Sequence, residues 1–426
     1  MSAVSNIGEL LVAGLFLGVF ALTTLVTALF VLRQLVLSLF MLFTSRRSAY
    51  AELELSEWPT VTILIPAHNE GKVLGGCLEA MSKIDYPAER ITFMVINDRS
   101  VDATGRIAAE WAARDRRFRA YNREPSAEPG KPAAIKEVIA TLESETVVFF
   151  DADYLPEPSL IKQLVAPFID PEIGATMGRV VPYNTNTNML TRLIDLERRG
   201  GYVVDQQARS LLNFLPQFGG TCGAVRLAAL NQVGGWRKDV LAEDTDLTYR
   251  LFLNGWTVEY LNHAACYEES PEQWPTRMKQ VRRWAYGHNE CLFRYFFKVL
   301  ACTRQPLIRR LDAALVLLFY VFPVLSIVCL VMSLFYPLFF SYPPFNLSVV
   351  PALSFMIGFG NFSPYFQIMV GAHKDGQSES VLSLPFIFMS SSISMLASVS
   401  AFYMNVVHKL AGSRMRWDKT VRFRTP

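Results

Sequence analysis

Val61-Thr-Ile-Leu-Ile-Pro-Ala-His-Asn-Glu70 opens with a charge-free apolar and β-branched run and closes on a carboxylate. The same design returns at Ile91–Asn97, followed by Asp98, and at Thr146–Phe150, followed by Asp151 and Asp153. Short runs without internal charge are the signature of strands buried on both faces, as in parallel sheets. Between them, residues 71–82, 102–113 and 132–143 have helical spacing, with Asp102 and Pro132 placed to begin helices. Strand and helix in alternation predict an α/β layer fold, in which ligands bind beyond the carboxyl ends of the strands. The acidic residues fall at those ends.

Further along, Glu243-Asp-Thr-Asp246 adds carboxylates, and Gln280-x-x-Arg283-Trp284 adds a cationic-aromatic cluster. So many acids are costly to gather unless a metal and a charged substrate neutralise them. The set points to an enzyme that handles a nucleotide diphosphate. The five histidines have no ligand spacing and none is assigned to a metal.

Charge is distributed unevenly along the 426 residues, whose net charge is +3. Residues 10–32, 313–372 and 381–407 contain no Asp, Glu, Lys or Arg. This predicts an integral membrane protein with a soluble domain of roughly 250 residues, large enough for a substantial core. The first run makes a helix of about 34 Å, enough to cross a bilayer. The span is expected to end at Arg33, because centring it there costs about 2.5–3.5 kcal/mol. Residues 35–43 would then continue along the interface. The second run is too long for one pass and should break at Ser341-Tyr-Pro-Pro-Phe345. The third can span again.

Arg46, Arg47, Arg304, Arg309, Arg310, Lys409, Arg414 and Arg416 flank these runs. By the positive-inside rule they place the soluble domain in the cytoplasm, on a multi-pass protein of the inner or plasma membrane. Three passes after that domain would carry the basic tail outside, against the same rule. The expectation is a cytosolic tail, with 381–407 lying partly in the membrane plane. The six cysteines have no metal-ligand spacing and read as reduced thiols. The first apolar run, with no cleavage pattern, reads as a retained anchor.

Ile65-Pro-Ala-His-Asn-Glu70, Asn97-Asp-Arg-Ser-Val-Asp102, Gly130-Lys131, Asp151-Ala-Asp153, Gly219-Gly-Thr-Cys-Gly-Ala-Val-Arg226, Glu243-Asp-Thr-Asp-Leu247 and Gln280-Val-Arg-Arg-Trp284 together resemble the inverting family 2 glycosyltransferases. The likeness is to the membrane-embedded processive branch, which includes poly-N-acetylglucosamine, chitin-oligosaccharide, hyaluronan and cellulose synthases. It covers residues 60–300 densely. Where many relatives carry glycine this chain has Arg99, so that turn is expected to differ.

The resemblance implies a cytosolic, nucleotide-sugar-binding GT-A domain with a mixed, mostly parallel sheet and helices on both faces. The implied division is an anchor over 1–45, the transferase domain over 46–270 and amphipathic interfacial helices over 271–310. Transmembrane helices over 311–408 and a basic tail over 409–426 complete it. Asp151 would meet the donor and Asp153 would ligate Mg²⁺ or Mn²⁺, which needs few protein ligands when phosphates complete its shell. Helix capping is the competing role for both. Glu70 and Asp98 would hold the nucleoside, with capping again the alternative. Lys131 suits a phosphate as a point charge, or is a solvated lysine.

The resemblance makes Asp244 the general base, a carboxylate that accepts the acceptor hydroxyl's proton. Glu243 and Asp246 would raise its pKa, although Asp246 also reads as an N-terminal helix acid. Arg283 can grip the leaving diphosphate, and Trp284 can stack on a sugar. Gln280 lies on the same helical face. Thr221, Cys222 and Glu243 fall in the implied acceptor site. Trp417, Lys419, Thr420 and Arg422 resemble a gating motif.

The expected activity is polymerisation of a UDP-sugar, UDP-N-acetylglucosamine before UDP-glucose, into a membrane-translocated β-glycan. The expected partners are the donor, a glycan acceptor and the bilayer. There is room for a small accessory membrane subunit, and no nucleic acid is expected. The alternatives are a non-processive transferase acting on a membrane lipid and an inactive assembly subunit.

Overall fold

The structure, a computed structural model, describes residues 2–45, 48–51, 53–339, 349–413 and 415. Its strands are β1 (Val61–Ala67), β2 (Ile91–Asn97), β3 (Phe118–Asn122), β4 (Thr146–Phe149), β5 (Leu155–Pro156), β6 (Ile173–Pro182), β7 (Gly223–Arg226) and β8 (Thr257–Glu268). They form one sheet in the order β3-β2-β1-β4-β7-β6-β8-β5. The β1–β2, β1–β4, β2–β3 and β6–β8 pairings are parallel, while β4–β7, β6–β7 and β5–β8 are antiparallel.

The predicted strands and helices of the first half are present. Helices Leu74–Ser82, Thr104–Arg114 and Lys131–Ile139 connect the parallel strands. Alternate residues of a strand face opposite sides, and here both sides are buried. Ile63 and Ile65 pack with Phe93, Val148, Leu78 and Met81 on one face. Leu64 packs with Ile96, Val147, Phe149, Ala134 and Ile135 on the other. Each such side chain stabilises the fold by about 1.5–3 kcal/mol, so neither face tolerates charge. The strands β3 and β5–β8 were not anticipated.

The N-terminal helix is Ser2–Phe43. It runs unbroken through Arg33, whose charge is paired. Arg33 Nη1 donates to Asp205 at 2.5 Å and its Nε to Asp312 at 2.6 Å. Among the described residues, Leu11–Phe43 and Leu382–Ala411 are long and apolar enough to span a membrane, and Leu307–Leu317 with Phe322–Met332 forms a pair bent by 62°. The expected proline break lies outside the described residues, between helices ending at Phe339 and beginning at Val349.

Candidate active site

The ends of β1 and β2 are shaped by two residues in the left-handed region, Asn69 (φ 54°) and Arg99 (φ 58°). Arg99 therefore adopts the backbone that favours glycine, at a strain of about 1–3 kcal/mol, and its Nε donates to Asp98 at 2.9 Å. The two turns are laced together. Ser100 Oγ accepts from the Asn69 N–H at 3.0 Å, and Asn69 Oδ1 accepts from the Val101 N–H at 2.9 Å. The Glu70 N–H donates to Thr104 Oγ1 at 2.8 Å, and the Glu70 carbonyl accepts from Leu74 as the next helix begins.

Asp98 is buried. Burial opposes its ionisation, but Arg99, the Gly130 N–H and Arg123 hold its pKa below the ordinary value. Arg123 Nη1 lies 2.7 Å from Oδ1 and the Gly130 N–H 2.9 Å from Oδ2. Asp98 thereby fixes the turn that presents Lys131. Gly130 has φ 110°, a conformation that a side chain would strain.

Lys131 reaches across to the end of β4, donating to Asp151 Oδ1 at 2.7 Å. Burial alone would lower its pKa, but Asp151, Glu243 and Asp244 raise it. Thr221 Oγ1 accepts from the Asp151 N–H at 3.3 Å, and Asp153 is buried beside it on the wall of the same cleft.

Asp244 opens the helix Glu243–Leu253. Burial pushes its carboxyl up, and Glu243 is raised to about 7 by burial and by Asp244. The loop opposite is stitched to this helix: Gln217 Nε2 donates to Thr245 Oγ1 at 2.8 Å, and the Phe218 N–H donates to Thr248 Oγ1 at 3.1 Å. Gly220, with φ 70°, approaches so closely that a Cβ there would lie 3.0 Å from that of Asp244. Asp246 is an internal anchor with no exposure. Tyr295 donates to it at 2.6 Å and Arg250 at 2.7 Å, with Arg294 at 3.2 Å. Its expected part in raising Asp244 is replaced by burial.

The helix Trp274–Ala301 supplies the remaining wall. It seats against the loop before Asp244 through Gly287. Gln280, Arg283 and Trp284 face the cleft, as the helical spacing predicts. Arg277 braces them: Nη1 donates to Gln280 at 2.9 Å, Nη2 to Glu197 at 2.8 Å, and the guanidinium lies 5.4 Å from the Trp284 ring centre.

These elements enclose a cleft of about 880 Å³. It gathers Glu70, Asp98, Lys131, Asp151, Asp153, Thr221, Glu243, Asp244, Gln280, Arg283 and Trp284. Cys222 is not on its wall. A left-handed backbone (φ 48°) turns the thiol into the core beside Gly178, where it is fully buried. The gating residues Trp417, Lys419, Thr420 and Arg422 lie outside the described residues, but Met415 lines the cleft. Glu268 and Glu269 line it too and were missed. Glu268 accepts from Tyr154 and pairs with Arg198. The adjacent acids Glu268-Glu269 are the signal in the sequence, although the strand before them is too polar to announce itself.

Among the described residues no group of three or more His, Cys, Asp or Glu could hold a metal ion unaided. Asp151 and Asp153 supply two hard oxygen donors to one cleft, which fits Mg²⁺ or Mn²⁺ completed by substrate phosphates.

Residues 59–287 match the family model described as glycosyltransferase like family 2. The chain belongs to glycosyltransferase family 2. It is a glycosyltransferase, and its fold is of the GT-A type with a curled mixed sheet. This glycosyltransferase is 28% identical to YdaM, a probable glycosyltransferase of Bacillus subtilis, over 87% of this chain and 88% of that protein. It is 28% identical to the beta-monoglucosyldiacylglycerol synthase of a Nostoc species over 65% of this chain, but spans only 59% of that relative. In fold it resembles the mannosyltransferase PcManGT of Pyrobaculum calidifontis, solved with GDP-Man and Mn²⁺. That likeness has a TM-score of 0.56 and 18% identity, covering 85% of this chain and 98% of the other.

Proposed function

We propose that this glycosyltransferase moves a hexose or N-acetylhexosamine, N-acetylglucosamine first, from a UDP-sugar to the end of a growing β-glycan, with inversion. The observation that carries the reading is one cleft that holds a buried carboxylate, Asp244, together with an indole wall, Trp284, and the cations Lys131 and Arg283. Glu70 accepts hydrogen bonds from the nucleoside, while Asp98 holds the Gly130 turn that presents Lys131. Arg283 and Lys131 take up the charge of the departing diphosphate. Trp284 stacks on the terminal sugar of the acceptor, beside Gln280, Thr221 and Glu243. Its hydroxyl oxygen bonds to the anomeric carbon as the bond to the diphosphate breaks, and Asp244 takes the hydroxyl proton. Asp151 and Asp153 would hold Mg²⁺ or Mn²⁺, which supplies charge neutralisation to the diphosphate.

The domain works at the cytoplasmic face. Support for a tail on the same side comes from Met415, which lines the cleft only four residues after the last helix ends at Ala411. Trp417, Lys419, Thr420 and Arg422 would then close over the bound donor.

A second reading, one sugar added to a membrane lipid, is favoured by the small number of candidate spans, two or three among the described residues. That is a slender channel for a polymer. The test is transfer by purified full-length protein from a panel of labelled nucleotide sugars with Mg²⁺ or Mn²⁺, followed by linkage-specific glycosidases. A ladder of digestible β-glycan is expected. A single sugar on lipid would replace the polymer reading, and transfer unaffected by Asp244→Asn would remove the proposed base.

A further inference from the structure

The turn between Trp274–Ala301 and the next helix, Leu307–Leu317, carries Arg304, Gln305 and Pro306. Against it lies a second cavity of about 420 Å³ that shares no lining residue with the active-site cleft. Arg304 and Arg309 both line it, with Trp256 and Gly255 opposite. Three of its neutral polar side chains already have partners. Gln305 Nε2 donates to the Phe252 carbonyl at 3.0 Å, Trp256 Nε1 to Gln232 at 2.9 Å and Asn254 Nδ2 to the Arg250 carbonyl at 2.9 Å.

Among the described residues neither Arg304 nor Arg309 has a carboxylate within ion-pair reach, and the buried Nε of Arg309 has no hydrogen-bond partner. Glu172 lines the same cavity but pairs with neither. Two guanidinium groups on one cavity wall repel each other unless an anion lies between them. A phosphate offers oxygens in the geometry that guanidinium forks match.

The neighbourhood of the cavity narrows the choice of anion. Leu307, Ile308 and Leu311 do not line the cavity but form the exposed apolar side of the helix that carries Arg309, at 59%, 60% and 48% exposure. Their helix is the first half of the bent apolar pair and begins just after the turn that carries Arg304, so an exposed apolar surface adjoins the cavity. We propose that Arg304 and Arg309 form a binding site for the phosphate headgroup of an anionic phospholipid, whose acyl chains lie along Leu307, Ile308 and Leu311.

Native mass spectrometry of the full-length protein in detergent, titrated with phosphatidylglycerol or phosphatidylcholine, tests this site. One phosphatidylglycerol should be retained in preference to phosphatidylcholine. Arg304→Gln with Arg309→Gln should weaken retention roughly thirtyfold, from about 1 kcal/mol for each cation near an anionic headgroup. Arg304→Lys with Arg309→Lys should keep most of it, and UDP binding should be unchanged in both variants. Equal retention of the two lipids by the wild type would overturn the proposal whatever the variants do. So would full retention by the glutamine variant, or release of the lipid by millimolar inorganic phosphate, which would make a free anion the occupant.

Discussion

Gly287→Ala tests how tightly the site depends on the seating of one helix. Alanine is the better helix former, so in an open helix the change would stabilise by about 1 kcal/mol. Here the added Cβ would lie 2.6 Å from the backbone nitrogen of Ala242 and 2.7 Å from its Cβ. Ordinary van der Waals contact begins at 3.4 Å, so helix and loop must separate by about 0.8 Å. Both obstructing groups belong to a main-chain segment that cannot swing aside, and overpacking of this kind typically costs about 1–3 kcal/mol. Ala242 directly precedes Glu243 and Asp244, so the shift is delivered to the proposed base. Misplacement by about 1 Å can reduce a rate 10²-fold, which puts the expected loss in kcat at about tenfold to a hundredfold. The assay is nucleotide release during transfer, with a thermal melt of the same sample. Gly75→Ala, where nothing lies within 4 Å of the new carbon, is the matched control and should keep full activity. A Gly287→Ala protein with wild-type kcat and a raised Tm would refute the reasoning.

Asp246→Ala should destabilise by about 3–5 kcal/mol in a denaturant titration, because it strands the buried Arg250 and removes the acceptor of Tyr295. Between pH 4.5 and about 7, activity and stability should move in opposite directions. The raised Asp244 carboxyl must lose its proton to act as a base, so kcat climbs with pH. Glu243, raised from 4.5 to about 7, stabilises the fold when protonated, and that contribution is lost as pH rises through its folded value. Melts of the ligand-free protein across this range should show the decline, and Glu243→Gln should lessen it while leaving the share of the likewise raised Asp244 and Glu259. Chelation with EDTA should abolish transfer and added Mn²⁺ should restore it, while Asp153→Asn should raise the Mn²⁺ concentration needed for half activity.

The first half of the sheet was legible because β1, β2 and β4 are buried on both faces, which expels charge and leaves apolar runs bounded by turns. The second half was not. β8 carries Glu259 and His263 within its length, β7 has only four residues, and β6 is interrupted by Gly174 and Gly178. Such strands are defined by their partners, not by their own pattern. The site followed the same division. Acids at strand ends and the helical spacing of Gln280, Arg283 and Trp284 could be read directly. The direction of the Cys222 side chain depends on a backbone angle that no residue type announces. The cluster around Asp246 draws Arg294 and Tyr295 from 48 and 49 residues away, a distance that local reading cannot bridge.

The three-way pairing of Arg33 imposes an order of events on the making of the protein. The helix is synthesised before either partner, and it leaves the ribosome with its arginine unaccompanied. Asp205 follows 172 residues later and Asp312 after 279. Until then the helix carries its arginine bare, a charge that is costly against apolar surroundings unless the helix shifts to keep it at a polar boundary. Its final seating therefore waits on the segments that carry Asp205 and Asp312. The pairing thus couples the seating of the first helix to the folding of two segments made long after it.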